Sequence, residues 1–399
     1  MKKSILFCMH SLEIGGAERA LLGLLYSIDY EKYDVDLFLM RHHGEFMKML
    51  PPNVHLLPEI REYTGLAVPM VSLIKRGLFG VCLGRLEAKV RSKLYQKQNP
   101  HTGDSSVELE YSHKYTRRFM PEISSKEYDL AVSFLTPHYF AAEKVRAKKR
   151  VAWIHTDYST LQVDATSELA MWEKYDNIIS ISEDCTAGFV QVFPTLKDKI
   201  VLIQNISSPK LIQMQADEFD AKKEMRTDGK TVLLSIGRYA FQKNFDNVPD
   251  ICRRMLEKGV NVKWYLIGFG SDEMRIHEKI RENGMEEHVI MLGKRSNPYP
   301  YIKACDVYVQ PSRYEGKAVT VREAQILCKP VIITNYPTAS SQIEEGIDGV
   351  IVPLDNKACA EEMAAILTSS EVTERLKRNC ENRNYNNTAE AEKLYGLIG

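Results

Sequence analysis

Arg238 and Lys243 lie five residues apart in Gly237-Arg238-Tyr239-Ala240-Phe241-Gln242-Lys243, at the end of the apolar run Thr231–Gly237. Two cations at the carboxyl edge of a strand can converge on one anion, and together they suit a diphosphate. A surface turn with two solvated charges is the alternative, and Lys243 reads as a solvent-facing loop residue. A second segment, Pro311-Ser312-Arg313-Tyr314-Glu315-Gly316-Lys317-Ala318-Val319, continues through Glu323 into a pattern of helical period. Here a buried strand delivers Glu315 to a loop, Gly316 lets backbone approach a ligand, and a helix begins near Ala318. Free amides near Ala318 and Val319 would face a phosphate. Glu315 and Glu323, acceptors only, suit the hydroxyls of a sugar and a ribose.

Two further places could meet a ligand. Glu13-Ile14-Gly15-Gly16-Ala17-Glu18-Arg19 puts two glycines on a strand-to-helix turn, where a phosphate can reach the positive end of a helix dipole. A plain tight turn is the other reading, since the G-x-G-x-x-G dinucleotide fingerprint is absent. Gly268-Phe269-Gly270 is a turn of the same ambiguous kind. His155 closes the apolar run Val151–His155, as a ligand contact or as an ordinary core or surface histidine.

These residues need a scaffold of strand ends. Short apolar runs, most of them followed by a segment of helical period, recur along the chain as in β-α units on parallel sheets. The first series is Ser4–His10, Asp34–Met40, Val54–Leu57, Asp129–Leu135, Val151–His155, Asn177–Ser182 and Ile200–Asn205. The second is Thr231–Gly237, Val262–Gly268, Val289–Gly293, Asp306–Ser312, Pro330–Asn335 and Gly349–Pro353. At 399 residues the chain is too long for one core, which favours two sheets over one. Ile206–Gly229 reads as the linker. The domains expected are 1–205 and 206–380, with a helix at about 381–399 crossing back to the first.

With 53 basic and 53 acidic residues the formal charge is zero, so nothing about the whole chain points to nucleic acid. The longest uncharged stretch, Pro330–Ile343, is too short to span a membrane. The first apolar run ends after six residues with no small-residue cleavage site following, which predicts a cytoplasmic protein. Eight dispersed cysteines without a C-x-x-C pair read as reduced and mostly buried. Asp34-Val35-Asp36 resembles a metal-binding D-x-D but opens a strand, and reads as structural. No G-x-S-x-G elbow anchors a hydrolytic nucleophile.

Leu66–Gln98 breaks the β-α rhythm, being basic and apolar at once with Glu87 as its single acid. It reads either as a solvated hairpin over the core or as a contact with an anionic membrane surface. In the second case Leu73, Ile74, Leu78, Phe79, Val81 and Leu83 would insert, with Lys75, Arg76 and Arg85 at the headgroups.

Taken together, Glu315 and Glu323 as E-x₇-E, GGAER at Gly15–Arg19 and GR-x₄-K at Gly237–Lys243 resemble a retaining glycosyltransferase of family 4. That family builds, among other products, bacterial surface polysaccharides. The resemblance implies an α/β GT-B fold, two Rossmann-like β/α/β domains facing each other across a donor-binding cleft. It implies that Arg238 and Lys243 hold a donor diphosphate and that Gly16 approaches it. Glu315 would contact the donor sugar and Glu323 the ribose, with Gly316, Ala318 and Val319 also at the donor. His155 matches a histidine that many members place beside the donor sugar, and with Glu315, Arg238 and Lys243 it completes the catalytic set. Lys317 departs from the aromatic or small apolar residue common after the E-G pair; it could reach the sugar or a second phosphate, leaving the sugar open.

The activity implied is transfer from a nucleotide-diphosphate sugar, first a UDP-sugar, to the hydroxyl of a glycan or lipid-linked acceptor. No metal or other cofactor is expected, because two cations and a helix end can offset the leaving diphosphate. Membrane contact through 66–98 would place the protein on the inner face of the plasma membrane. A nucleotide-sugar epimerase or phosphorylase on the same fold, or a non-catalytic partner subunit, are the rival classes.

Overall fold

Strands that are apolar in succession, not in alternation, need cover on both faces, which parallel sheets flanked by helices supply. The computed structural model describes residues 2–13, 15–101, 105–156, 158–159, 161–315 and 318–398, and among these it contains two such sheets. The first comprises β1 (Lys3–Met9), β2 (Tyr33–Leu39), β3 (His55–Leu56), β4 (Glu127–Ser133), β5 (Arg146–Ile154), β6 (Asn177–Ser180) and β7 (Ile200–Leu202), in the order β3-β2-β1-β4-β5-β6-β7. The second comprises β8 (Thr231–Ile236), β9 (Val262–Ile267), β10 (Val289–Gly293), β11 (Val307–Gln310), β12 (Val331–Thr334) and β13 (Val350–Val352), in the order β10-β9-β8-β11-β12-β13. Every apolar run read from the sequence became a strand. Alternate side chains serve opposite cores, so that Val232 and Leu234 pack in one cluster and Leu233 in another.

In both sheets the chain starts in the middle, winds to one edge, then returns to the other side of its first strand. The reversals lie between β1 and β4 and between β8 and β11, the places where open α/β sheets bind ligands.

The chain divides into two compact units, Met1–Ile206 with Asn387–Gly399, and Ser207–Asn386. The reading of Ile206–Gly229 as a linker is corrected. Its helix Pro209–Ala216 follows the N-cap Ser208, and Ile212, Ala216, Ala221 and Met225 belong to the second unit's core. The helix Glu390–Tyr395 docks on the first unit, where Tyr395 stacks on Tyr33 at 4.3 Å and Glu390 accepts the Gln204 amide at 2.9 Å. Asp36 of the D-x-D is a buried structural acceptor, taking the Tyr128 hydroxyl at 2.7 Å.

The basic segment folds as the helices Met70–Lys75 and Phe79–Gln98. Leu73, Leu78 and Val81 are buried, which corrects their assignment to a lipid-facing set; Ile74, Phe79 and Leu83 are exposed. Arg85 also turns inward, donating to the carbonyls of Gly65 at 3.1 Å and Val68 at 2.5 Å.

Phe79–Gln98 packs on the helix Val107–Thr116 through small residues. A Cβ on Gly84 would lie 2.7 Å from the Tyr115 carbonyl oxygen and 2.9 Å from the Thr116 Cα. Alanine's better helix propensity is worth about 1 kcal/mol, whereas overpacking against backbone costs about 1–3 kcal/mol. Gly84→Ala is therefore expected to lower the unfolding free energy in urea by about 1 kcal/mol; a gain would show that the two helices can part freely.

Candidate functional site

β8 and β11 pair with Leu233 opposite Val307 and Leu234 opposite Tyr308, so the loops leaving their carboxyl ends start side by side. After β8 come the exposed Arg238 and the buried Tyr239, whose hydroxyl donates to the Leu266 carbonyl at 3.1 Å. A 3₁₀ turn, Phe241–Lys243, ends on Asn244 in the left-handed region at φ 60°. It folds the lysine stem over Gly237, where a Cβ would sit only 3.1 Å from the Lys243 Cδ.

Lys243 Nζ meets Glu315 Oε1 at 2.5 Å, with the side chains 17% and 6% exposed. This corrects the expectation of a solvent-facing Lys243. Glu315 Oε1 also accepts from Ser312 Oγ at 2.6 Å and Gln310 Nε2 at 3.2 Å. Gln310 Oε1 in turn accepts the Tyr308 hydroxyl at 2.7 Å, so a polar chain runs from the buried strand to the carboxylate. Arg313 makes a two-pronged pair with the buried Asp246, at 2.9 and 3.0 Å, and its guanidinium lies 4.0 Å from the Phe241 ring centre. Its amide donates to the Gln242 carbonyl at 2.8 Å. Arg313 thus bolts the Lys243 turn to the Glu315 loop.

Gly316 and Lys317 lie outside the described residues. The helix Val319–Ile326 starts after Ala318, as its period predicts. The Ala318 amide is not free, however: it donates to Gln342 Oε1 at 3.1 Å. Val319 is exposed. Glu323 is 5% exposed and accepts the Tyr299 hydroxyl at 2.7 Å. The glycines of Gly268-Phe269-Gly270 serve backbone packing, since a Cβ on Gly268 would lie 1.9 Å from the Gly237 carbonyl oxygen.

In the first unit Gly15 caps the helix Gly16–Leu25, and its Cβ would strike the Glu18 carboxylate at 2.0 Å. Around a Cβ on Gly16 nothing lies within 4 Å among the described residues, so its backbone is open to approach. His155 follows β5, its ring 4.7 Å from that of Phe134 and parallel to Trp153. Burial lowers its pKa to about 4, so the ring is neutral at neutral pH. Burial likewise lowers His10 to about 4, and His113 and His138 well below the ordinary value. His10 and His113 sit ring to ring at 5.2 Å.

Sequence reasoning missed Gln310, Ser312, Arg313, Asp246 and Gln342. A glutamine ending a buried apolar run was the available signal for Gln310, because a buried amide must find partners. Nothing in a single sequence pairs Arg313 with Asp246.

Residues 216–383 match the family model described as Glycosyl transferases group 1. An uncharacterized glycosyltransferase of Methanocaldococcus jannaschii is 29% identical over 173 residues, 43% of this chain and 42% of that protein. The UDP-Gal:alpha-D-GlcNAc-diphosphoundecaprenol alpha-1,3-galactosyltransferase of Escherichia coli is 21% identical over 377 residues, 93% of this chain and 89% of that protein. The chain spans about half the length of most curated relatives it matches. The crystal structure of Anabaena HepE with UDP and glucose superposes with a TM-score of 0.61 at 16% identity, covering 99% of this chain and 98% of that one. These likenesses bear out the family 4 resemblance of the motifs and the two-domain α/β GT-B fold.

Two outcomes follow from the packing around these residues. Removing one partner of a buried ion pair costs about 3–5 kcal/mol, but Arg275 also reaches Asp246, at 2.8 Å. Arg313→Ala should therefore lower the unfolding free energy by about 2–3 kcal/mol, and an unchanged urea midpoint would deny the bolt.

The second concerns pH. The buried histidines bind fewer protons folded than unfolded between about 4 and 6.5, so their contribution is full above 6.5 and lost as pH falls toward 4. Glu168 acts in the opposite sense. It is 1% exposed, and burial, with Glu110 close by, raises its pKa from 4.5 to about 7. It therefore favours the fold at acid pH and disfavours it as pH rises through that window. Glu168→Gln should shift Tm more favourably near about pH 8 than near about pH 5; equal shifts at both would remove Glu168 from the pH response.

Proposed function

Because residues 216–383 match the group 1 glycosyl transferases, we propose that this protein moves a sugar from a nucleoside diphosphate sugar, first a UDP-sugar, to an acceptor hydroxyl with retention of configuration. The observation that carries this reading is the Lys243–Glu315 pair beside exposed Arg238 at the β8–β11 reversal.

Cation and carboxylate satisfy one another, and a donor replaces both partners at once. Its diphosphate takes the charge of Lys243 and Arg238, its sugar hydroxyls donate to Glu315, and its ribose meets Glu323. The bond from the anomeric carbon to the diphosphate oxygen breaks, and the electron pair leaves on the phosphate. The acceptor oxygen forms the new bond on the same face and passes its proton to the departing diphosphate oxygen, which has just taken the electron pair. Arg238, Lys243 and the amide end of Val319–Ile326 offset the charge on the leaving group, so the reading requires no metal. Gly16, Gly316, Lys317, Val319 and His155 keep the parts implied by the motif resemblance, while the Ala318 amide, also implied there, is taken by Gln342; a neutral His155 can donate to or accept from a hydroxyl. The diphosphoundecaprenol in the name of the Escherichia coli relative supports a lipid-linked or glycan acceptor, and with it a place on the cytoplasmic membrane face.

The test is a screen of nucleotide sugars for release of nucleoside diphosphate, with and without acceptor. Donor conversion without a glycosylated product would replace the reading with an epimerase or phosphorylase, and donor binding without turnover with a non-catalytic subunit. In the active protein, Arg238→Ala should abolish most turnover at an unchanged unfolding midpoint, because its side chain is exposed. Lys243→Ala should lose turnover and also about 1–3 kcal/mol of stability, since Glu315 is left without its cation. Glu315→Gln should reduce kcat by roughly 10²-fold, and turnover should persist in excess EDTA. A rate unaffected by either charge-removing change at Arg238 or Glu315 would move the site elsewhere.

A further inference from the structure

The helix Phe79–Gln98 inverts the usual arrangement of a surface helix, which buries its large apolar residues. Its buried positions are Val81, Gly84, Ala88 and Ser92, mostly small. Phe79, Leu83, Leu86, Val90 and Leu94 point outward instead, 52% to 66% exposed. At helical pitch these five fall in one stripe about 80° wide running the length of the helix. Val71 and Ile74 of the preceding helix are exposed as well, at 64% and 53%. Single exposed apolar residues need no explanation, but a continuous stripe of large ones marks a contact surface.

The charges beside the stripe decide what it contacts. Lys89, Lys93 and Lys97 are exposed along it. Glu87, the single acid between 66 and 98, is neutralised by Arg91 at 3.0 Å and Arg118 at 2.7 Å. Pairing two copies through this face would bring lysine rows together with no unpaired acid between 66 and 98 to offset them.

We propose that the stripe docks the first unit on an anionic lipid surface. The helix lies in the interface, with Phe79, Leu83, Leu86, Val90 and Leu94 among the upper acyl chains and the three lysines among headgroup phosphates. This is independent of the sugar-transfer reading, because its readout needs no donor and no turnover.

The experiment is co-sedimentation of the full chain with vesicles of phosphatidylcholine alone and of an equal mixture with phosphatidylglycerol, at low and high salt. The wild type should bind the mixed vesicles, less at high salt but still measurably, since salt screens the lysines and leaves the apolar contacts intact. Leu83→Ser/Leu86→Ser/Val90→Ser should lower the partition coefficient by about tenfold or more at both salts. Lys89→Glu/Lys93→Glu/Lys97→Glu should lower it at low salt and flatten the salt dependence. Because a triple variant can lose its fold, Leu86→Trp supplies a second readout: the fluorescence it adds to that of the wild type should shift to the blue on mixed vesicles and be quenched by brominated lipid. Absence of wild-type binding to mixed vesicles, equal binding by the wild type and both triple variants, or an unshifted emission from the Leu86→Trp variant would each overturn the proposal. So would a wild-type dimer in sedimentation velocity that the serine variant abolishes, without vesicle binding; that result would assign the stripe to a second copy.

Discussion

The adjacency of β8 and β11 is the constraint on which the second unit's site depends. Winding reverses between them, so the crossover helices diverge to opposite faces and leave the two carboxyl ends uncovered. Lys243 and Glu315, 72 residues apart in the chain, can therefore share one place. Burying such a pair contributes little net stability compared with apolar side chains of the same size. On the proposed reading, the pair holds a cation and an acceptor where developing charge would find them already oriented. Arg313 and Asp246 keep that geometry from depending on two otherwise independent loops.

The first unit has the same winding and a different chemistry at its corresponding edge. There the imidazoles of His10, His138 and His155 lie near the strand ends, each kept neutral by burial. One topology thus buries an ion pair at its reversal in one unit and neutral aromatic rings in the other. The difference comes from a few residues at strand ends, while the strands themselves are interchangeable in kind.

The strands were legible because burial on both faces leaves an unmistakable run of apolar residues, from Ile5–Met9 to Val350–Val352. The start of the helix at Val319 and the exit of Glu315 from β11 followed from the same pattern. What was not legible depended on partners distant in sequence. Lys243 reads as a loop cation until Glu315 is placed beside it, and the Ala318 amide reads as free until Gln342 arrives. Arg85 looks like its basic neighbours, yet the carbonyls of Gly65 and Val68 draw it inward. The inverted helix Phe79–Gln98 was hidden for a related reason. Composition shows that it is both basic and apolar, but only the close approach permitted by Gly84 and Ala88 decides which face is covered.

The return of the chain at Asn387 has a consequence for biosynthesis. Ser207–Asn386 is continuous, and all of its contacts are available once it has emerged from the ribosome. The unit begun first is finished last: the Tyr395 stack on Tyr33 and the Glu390 cap on Gln204 must wait until the entire intervening unit has been translated. During that interval Tyr33 and the end of β7 remain unprotected in a nascent chain. Within these 399 residues the first unit is thus begun before the second and closed after it.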